Sequence, residues 1–221
     1  EIFSEFSEPV AAASIAQVHK ARLKSTGKPV AVKILRPHIE KDFRKDVDAF
    51  YFSATMIELL SPASRRLRPT EVIRHFESVV RGELDLRMEA SAASEFLDNT
   101  KDDDGFVVPA ISWEQSSRRV MTMEWEDGLP LGDAEALRAS GIDMKEMGAR
   151  VVKIFLRHAL RDGFFHADMH PGNLKGAENG DLVALDFGIM GRIDEYTRRV
   201  YAEILMGFIR KDYRRVAEVH F

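Results

Sequence analysis

The feature that most constrains the fold of this chain is a polar stretch set among short apolar segments. Residues 165–173 read Phe-His-Ala-Asp-Met-His-Pro-Gly-Asn, and Asp186-Phe187-Gly188 begins eighteen residues after Asp168. The apolar residues 182–185 are typical of a short buried strand. Loops beside such strands often present functional side chains on a rigid support. Two carboxylates and an amide in this arrangement indicate a metal or proton-transfer site.

The pattern of apolar residues in the first half of the chain predicts strands followed by inserted helices. Residues 10–35 predict a β-hairpin around a turn at Gly27. Apolar residues at three- and four-residue spacing over 43–60 predict a long helix. A second helix is predicted with Thr70 as its N-cap, and its apolar pattern continues to Phe96.

The character of the chain changes near Gly128. Further strands are expected at 106–108 and 119–125, and further helices at 144–160 and 195–221. Strands dominate before Gly128 and helices dominate after it. We therefore expect a two-lobed α+β fold with an N-lobe of residues 1–127 and a C-lobe of residues 128–221. Because the chain begins at Glu1 and ends inside a predicted helix, we expect a piece of a longer protein.

Composition excludes several classes of protein. With 45% apolar and 31% charged residues, the 221-residue chain has the content of a globular protein and not of a disordered one. A net charge of −4 gives no bulk attraction to nucleic acid. The absence of cysteine removes disulfides and thiolate metal sites. No apolar run approaches the ~18 residues that a membrane span needs, so this piece is expected to be soluble.

The order His-x-Asp-x-x-x-x-Asn and then Asp-Phe-Gly is that of the catalytic and metal-binding loops of protein-kinase-like folds. Phosphoryl transfer depends on Mg²⁺ to neutralise the phosphates and on a carboxylate that positions or deprotonates the attacking oxygen. Asp168 is the candidate for that catalytic carboxylate. Asn173 and Asp186 would supply hard oxygen ligands to the metal. His166 is expected to be a buried structural hydrogen-bonding residue.

A metal-hydrolase site is an alternative interpretation of the same stretch. His166, Asp168 and His170 alternate along the chain and would point the same way from an extended segment. The remaining histidines are scattered and add no second pair of ligands. This interpretation gives Asn173 and Asp186 no role.

A kinase-like site also needs a lysine on a strand near the N-terminus, and Val30-Ala31-Val32-Lys33 supplies it. A charge at the end of an apolar strand is awkward unless it meets a phosphate and a carboxylate. Glu83, Asp85 and Glu89 on the following helix are the candidate partners. The alternative is that these acids lie on a solvated helix face.

An alanine-rich stretch stands where a kinase has its glycine-rich phosphate loop. Residues 9–19 read Pro-Val-Ala-Ala-Ala-Ser-Ile-Ala-Gln-Val-His. Alanine has a Cβ, which disfavours positive φ and the close backbone approach that glycine allows. We therefore expect this loop to hold phosphates in a different way from the glycine-rich loop of kinases.

These motifs together resemble the UbiB family, atypical kinase-like proteins linked to ubiquinone (coenzyme Q) biosynthesis. The Ala-rich loop and the His-Ala-Asp-Met-His-Pro-Gly-Asn form are specific to that family, whereas the lysine and Asp-Phe-Gly are shared by kinases generally. The resemblance spans nearly the whole chain. The resemblance implies that Glu83 and Asp85 form an acidic regulatory motif, near which the family's Lys-x-Gly-Gln segment packs over the active site. That segment and the family's C-terminal membrane helices are expected beyond the ends of this sequence.

The resemblance implies a role for each matched residue. Asp168 would be catalytic, Asn173 and Asp186 would hold Mg²⁺, and Lys33 would contact the phosphates of ATP or ADP and pair with Glu89. The other residues expected to contact the nucleotide are Val10, Ala11, Ala12, Ala13, Ser14, Ile15, Ala16, Gln17, Val18, Glu124 and Trp125.

Two departures from ordinary protein kinases bear on the substrate. Ala167 replaces the arginine that usually pairs with an activation-loop phosphate. A helix is expected within about eight residues of Gly188, with no Ala-Pro-Glu sequence between them. These features favour ATP hydrolysis or small-molecule phosphorylation over protein phosphorylation.

The resulting expectation is a Mg-dependent ATP-binding atypical kinase or ATPase that supports ubiquinone biosynthesis. The alternatives are a low-turnover nucleotide-binding scaffold for biosynthetic enzymes at the membrane, or a small-molecule kinase of the choline or aminoglycoside type. Expected partners are a nucleotide, a lipid or quinone precursor and other enzymes of ubiquinone biosynthesis, with no nucleic acid. We expect the full-length protein at the inner face of a bacterial membrane, in contact with it through segments absent here.

Overall fold

The computed structural model describes residues 2–220 and forms two compact units. The first unit contains the residues up to Ser91 together with Ile111–Trp125, and the second contains Ala92–Ala110 together with the residues from Glu126 onward. Both units combine helices with strands, which confirms the α+β prediction. The lobe boundary between residues 127 and 128 stays a prediction.

The predicted strands and helices are present, and the structure adds several short strands and one helix to them. The single helix predicted over 195–221 is wrong, because Lys211 adopts a left-handed backbone conformation that ends one helix at Arg210 before another begins at Tyr213. The strands are β1 (Phe3–Ser4), β2 (Pro9–Ala12), β3 (Ala16–Leu23), β4 (Pro29–Leu35), β5 (Phe106–Val107), β6 (Val120–Glu124), β7 (Leu129–Pro130), β8 (Phe164–His166), β9 (Leu174–Gly176), β10 (Leu182–Ala184) and β11 (Met190–Arg192). The helices are α1 (Ile39–Leu60), α2 (Pro69–Glu83), α3 (Leu86–Thr100), α4 (Ala134–Ala139), α5 (Met144–Arg157), α6 (Glu195–Arg210) and α7 (Tyr213–His220). Phe221, at the end of the last predicted helix, lies outside the described residues.

The first unit is built on a sheet whose longest pairing is the antiparallel hairpin of β3 and β4. β6 pairs with the other edge of β4, and β1 and β2 pair with β3. Side chains alternate between the faces of a strand. One face of β4 buries Ala31 and Leu35 in a cluster with Leu86 and Ala90 of α3. Lys33 lies between Ala31 and Leu35 on β4, so it points to the face that α3 covers.

The prediction that Thr70 caps a single helix running to Phe96 is wrong. The N-cap is Arg68 and the helix begins at Pro69, two residues earlier than predicted, because proline suits the first helical position, where the missing N–H costs nothing. It ends at Glu83, and a new helix begins at Leu86. Leu84 and Leu86 are 4% and 2% exposed. Residues two apart lie on opposite sides of a helix, so a break between α2 and α3 is what lets both leucines be buried.

The second unit contains a four-stranded sheet in the order β5, β10, β9, β7 and a separate pairing of β8 with β11. Its core is organised around the fully buried ring of Phe96. That ring makes edge contacts with Phe106 on β5 and Phe164 on β8, and a tilted contact with Phe187. The Asp186-Phe187-Gly188 segment is therefore fixed to the core through its phenylalanine.

The helix predicted over 144–160 is present, but it is not α-helical throughout. The α-helix α5 ends at Arg157 and the chain continues as a short π-helix over His158–Asp162. His158 is 1% exposed, and its Nε2 lies 3.0 Å from Oδ2 of Asp103.

Among residues 2–220, none of the helices combines the length and the apolar content needed to span a bilayer.

Candidate functional site

The first unit contains a buried ion pair between Lys33 and Glu89. The lysine Nζ lies 2.7 and 2.8 Å from the two carboxylate oxygens of Glu89. The two side chains are 11% and 8% exposed. The packing of Leu86 and Ala90 against the sheet fixes the rotation of α3 and turns Glu89 toward β4. Burying a charge is costly unless it is paired, and here each charge neutralises the other.

Glu83 and Asp85, the other two candidate partners, do not contact Lys33 through any described hydrogen bond or ion pair. Glu83 is the exposed last residue of α2, and Asp85 lies at the break before α3. The carboxylate of Asp85 accepts hydrogen bonds of 2.9 and 2.6 Å from the guanidinium of Arg87. Those bonds hold the pKa of Asp85 below its usual value. The three acids were predicted on one helix, but Glu83 ends α2, Asp85 lies between the helices and Glu89 belongs to α3.

The alanine-rich stretch forms an exposed hairpin at the sheet edge. Ala11 and Ala12 pair with Val18 and Gln17 on β3, and the N–H of Ala13 donates to the carbonyl of Ala16 at 2.9 Å. Residues 10–14 are exposed, Ile15 is half-buried and Ala16 is buried. Alanine is unstrained in this extended backbone.

Arg36 anchors the same loop and is a contact that the sequence reasoning missed. Its Nε and Nη2 donate to the carbonyl oxygen of Ala13 at 3.2 and 3.1 Å. The two residues are twenty-three positions apart, so no local pattern could have paired them.

Glu124 and Trp125 lie at the end of β6. Glu124 pairs with Val30 on β4, and its carboxylate is 3.7 Å from Nζ of Lys28. The N–H of Trp125 donates to the carbonyl of Pro29 at 3.3 Å. The Nζ of Lys20 lies 4.3 Å from the centre of the Trp125 ring, within the range of a cation–π contact.

In the second unit, the side chains of Asp168 and Asn173 contact each other directly. The Nδ2 of Asn173 donates to the Asp168 carbonyl at 3.1 Å and to its Oδ2 at 2.9 Å. Carbonyl and carboxylate oxygens accept hydrogen bonds, so the amide atom that faces Asp168 is the nitrogen and the amide oxygen faces away from it. The amide oxygen of Asn173 is the atom that can serve as a metal ligand.

Asp186 is brought beside Asn173 by the pairing of two short strands. Leu174 pairs with Ala184, and beyond that pair the N–H of Leu185 donates to the carbonyl of Asn173 at 3.0 Å. The Oδ1 of Asp186 accepts from the N–H of Gly188 at 3.0 Å. Strand pairing thus places the two predicted metal ligands at neighbouring positions.

The donor set fits Mg²⁺ rather than a metal held entirely by protein. Among the described residues, no three histidine or acidic side chains are grouped so that they could hold a metal ion. One carboxylate and one amide oxygen leave positions for water and phosphate oxygens, as is usual for Mg²⁺.

His166 is buried in the second unit and forms a structural contact. It is 2% exposed, and its Nδ1 accepts from the N–H of Asp168 at 3.2 Å. Its Nε2 finds no hydrogen-bond partner of normal geometry within residues 2–220. Burial lowers the pKa of His166, and the nearby backbone of Asp186 opposes that shift only in part. A neutral ring turned into the core fits the predicted structural role and not the metal-hydrolase alternative.

His170 makes a contact that the sequence reasoning also missed. Its Nδ1 accepts from the N–H of Gly172 at 3.1 Å and caps the short 3-10 turn Pro171–Asn173. The sequence signal that could have indicated this contact is a polar side chain directly before Pro-Gly, because turns commonly begin in this way.

A buried strand lysine paired with a helix glutamate, and an Asp-Asn loop beside a second aspartate, are the fixed parts of kinase-like folds. The model of the ABC1 atypical kinase-like domain matches residues 1–220. The chain therefore belongs to the ABC1 atypical kinase-like domain family, and the resemblance to UbiB proteins is confirmed.

Curated relatives and a solved structure agree with this assignment. The chain is 40% identical to proteins named "Probable protein kinase UbiB" from Marinobacter nauticus and Aliivibrio salmonicida, over 225 and 223 residues. These alignments cover 100% and 99% of this chain but 41% of each relative. A structure of Rv3197 in complex with erythromycin, from Mycobacterium tuberculosis, matches with a TM-score of 0.73 and 27% identity over 99% of this chain and 55% of that one. The chain thus spans about two fifths of the length of these curated relatives.

Proposed function

We propose that this chain is the Mg-dependent nucleotide-binding core of an atypical kinase or ATPase that acts in ubiquinone biosynthesis. Family membership supports the kinase-like class. The proposal assigns Asp168 as the catalytic residue, Asn173 and Asp186 as metal ligands, and Lys33 as the residue that contacts the phosphates.

The buried Lys33–Glu89 pair is the observation that carries this proposal. A lysine held at 2.7 and 2.8 Å by both oxygens of one carboxylate is fixed in position and orientation. Replacing such a pair with apolar residues is often neutral or even stabilising, so fold stability alone is a weak reason to bury it. A kinase-like site, in contrast, requires this pair to be in place before phosphates can bind productively.

The second unit would supply the groups that act on the phosphoryl acceptor. The Asn173 amide holds the Asp168 carboxylate in place through a 2.9 Å hydrogen bond. From that position, Asp168 can orient an attacking hydroxyl or water and accept its proton as the new P–O bond forms. Bound Mg²⁺ would supply charge neutralisation of the phosphates.

The segment after Gly188 favours a small acceptor over a protein substrate. The chain returns at once as β11, which pairs with β8, and α6 begins at Glu195. Gly191 permits this close return, because a Cβ there would overlap the ring of Phe165. Six residues between Gly188 and α6 leave no long activation segment on which a peptide could dock. We therefore propose ATP hydrolysis or phosphorylation of a small molecule.

The test is ATP hydrolysis by the full-length protein, with and without lipid vesicles and a soluble mimic of a quinone precursor. Asp168→Asn keeps the hydrogen bond to Asn173 possible but removes the charge, so kcat should fall by at least about 10²-fold while nucleotide affinity changes less than about threefold. Asp104→Asn, at an exposed loop acid, is the matched control and should leave kcat unchanged.

Two outcomes would contradict the proposed turnover. Undiminished hydrolysis in Asp168→Asn would remove that residue from catalysis. Nucleotide binding without turnover under all conditions would instead support a nucleotide-binding scaffold that organises other biosynthetic enzymes at the membrane.

A further inference from the structure

The turn between Asp168 and Asn173 depends on a histidine in a role that histidine seldom has. His170 stands at the N-cap of the 3-10 turn Pro171–Asn173, with φ −65° and ψ 142°. Caps are usually Asn, Asp, Ser or Thr, whose side-chain oxygen accepts from a backbone N–H near the start of the turn. Here the ring Nδ1 takes that place and accepts from Gly172 at 3.1 Å. This contact uses the acceptor capacity of the imidazole and leaves Nε2 outside the turn.

The turn fixes the backbone on the N-terminal side of Asn173. The N–H of Asn173 donates to the carbonyl of His170 at 2.8 Å, and the Asn173 carbonyl accepts from Leu185 at 3.0 Å. The Asn173 side chain is held separately by Asp168. With the N–H, the carbonyl and the amide nitrogen all engaged, the amide oxygen has a single orientation.

The fit between the ring and the turn is close. A Cβ added to Gly172 would lie 3.2 Å from the His170 Nδ1, which is closer than ordinary van der Waals contact, so the ring would have to shift. Glycine at this position therefore lets the imidazole approach the backbone. Neither His170 nor Gly172 contacts a phosphate or a metal in the roles proposed above, so their contribution would act through Asn173.

We propose that His170 is a positioning residue: its Nδ1 holds the Pro171–Asn173 turn so that the amide oxygen of Asn173 is presented to a divalent cation. This inference rests on the proposed function, in which Asn173 is a metal ligand. It assigns His170 a task separate from that of His166, which is buried and bonds to the N–H of Asp168.

The test compares His170→Asn with His170→Leu in the full-length protein. The Oδ1 of asparagine occupies the same position on Cγ as the Nδ1 of histidine, so it can accept from Gly172 without adding charge. Leucine has the same branching as asparagine but no acceptor. His75→Leu, at an exposed histidine of α2, is the control for the substitution itself.

Two measurements are made on each variant. The Mg²⁺ concentration that gives half of the ATP-induced rise in Tm should increase about fivefold or more in His170→Leu, equivalent to the roughly 1 kcal/mol that a lost cap costs. His170→Asn should stay within about twofold of the unmutated protein. Hydrogen exchange in peptides covering residues 167–175, measured without nucleotide, should be faster in His170→Leu and restored in His170→Asn.

The two measurements separate the possible failures. Equal hydrogen exchange in His170→Leu and in the unmutated protein would show that the ring does not hold the turn and would overturn the inference. Faster exchange with an unchanged Mg²⁺ requirement would also overturn it, because the turn would then not position a metal ligand. If the unmutated protein shows no Mg²⁺-dependent response to ATP, the proposed function fails, and with it the metal-positioning role, even where the exchange data support the cap.

Discussion

Replacing the Lys33–Glu89 pair separates a role in stability from a role in nucleotide binding. Lys33→Met and Glu89→Leu each remove one charge from a pair whose side chains are 11% and 8% exposed. Each single variant removes the group that lies 2.7 and 2.8 Å from the remaining charge in the core. Breaking a buried pair in this way costs about 3–5 kcal/mol, whereas replacing both partners with apolar residues is often neutral or stabilising. We expect the double variant to recover most of the stability that either single variant loses.

The first unit offers both a probe and a control for this cycle. The two tryptophans of the chain, Trp113 and Trp125, lie in the first unit. Their fluorescence during urea unfolding therefore reports on the unit that contains the pair. The exposed pair Arg22–Glu5, with side chains 46% and 71% exposed, provides a matched cycle in which each single variant should cost only about 0–1 kcal/mol.

Stability and nucleotide binding should respond differently in the double variant. Its free energy of unfolding should approach that of the unmutated protein, while its stabilisation by Mg-ATP should be lost. If the double variant binds Mg-ATP normally, the pair has no part in nucleotide binding and the reasoning is refuted. If the single variants lose less than about 1 kcal/mol, the pair behaves like a surface pair and the stability argument fails.

Two further predictions concern the alanine-rich loop and a buried acid. Ala12→Gly or Ala13→Gly should raise the ratio of ATP affinity to ADP affinity, because removing a Cβ lets the exposed backbone approach the β- and γ-phosphates. Titration of both nucleotides at equal Mg²⁺ measures this ratio. A ratio equal to that of the unmutated protein would contradict the prediction. Hydrogen bonds from the Arg161 guanidinium lower the pKa of Asp103 from 3.8 to about 2. The resulting stabilisation of about 2 kcal/mol is fully present above about pH 4 and is lost as the pH falls through the folded-state pKa near 2. In urea unfolding at pH 5, the free energy of unfolding of Asp103→Asn should therefore be lower than that of the unmutated protein by about 2 kcal/mol. At pH 2 the two values should be nearly equal. A difference in stability that does not change with pH would contradict the proposed cause of the shift.

The fold of the first unit could be predicted where one local pattern dominates. The β-branched run that ends at Lys33 and the turn at Gly27 define the β3–β4 hairpin, which the structure confirms. The apolar spacing of α1 likewise predicts one long helix. The break between α2 and α3 could not be predicted, because it depends on burying both Leu84 and Leu86, and Leu86 packs against sheet residues that are distant in the sequence.

The same limit applies to the candidate site. The spacing of the motif pointed to Asp168, Asn173 and Asp186. The short apolar segments beside Asn173 and Asp186 pair as strands, which could be expected from their local sequence. The partner of Lys33 stayed open on local grounds, because the helical position of Glu89 depends on where α3 begins. Arg36 was missed because its contact spans a distant part of the sequence, and His170 because histidine is seldom a cap.

Mg-dependent binding of a nucleotide is the central claim, and thermal unfolding with ATP tests it most directly. At a ligand concentration of 100 times Kd, binding stabilises the native state by about 2.7 kcal/mol, which corresponds to a rise in Tm of about 5–10 °C for a domain of this size. We expect that rise in the unmutated protein and in Asp104→Asn with Mg²⁺ present, and a much smaller rise in Asp186→Asn or when Mg²⁺ is chelated. An unchanged Tm with both Mg-ATP and Mg-ADP in the unmutated protein would contradict the account.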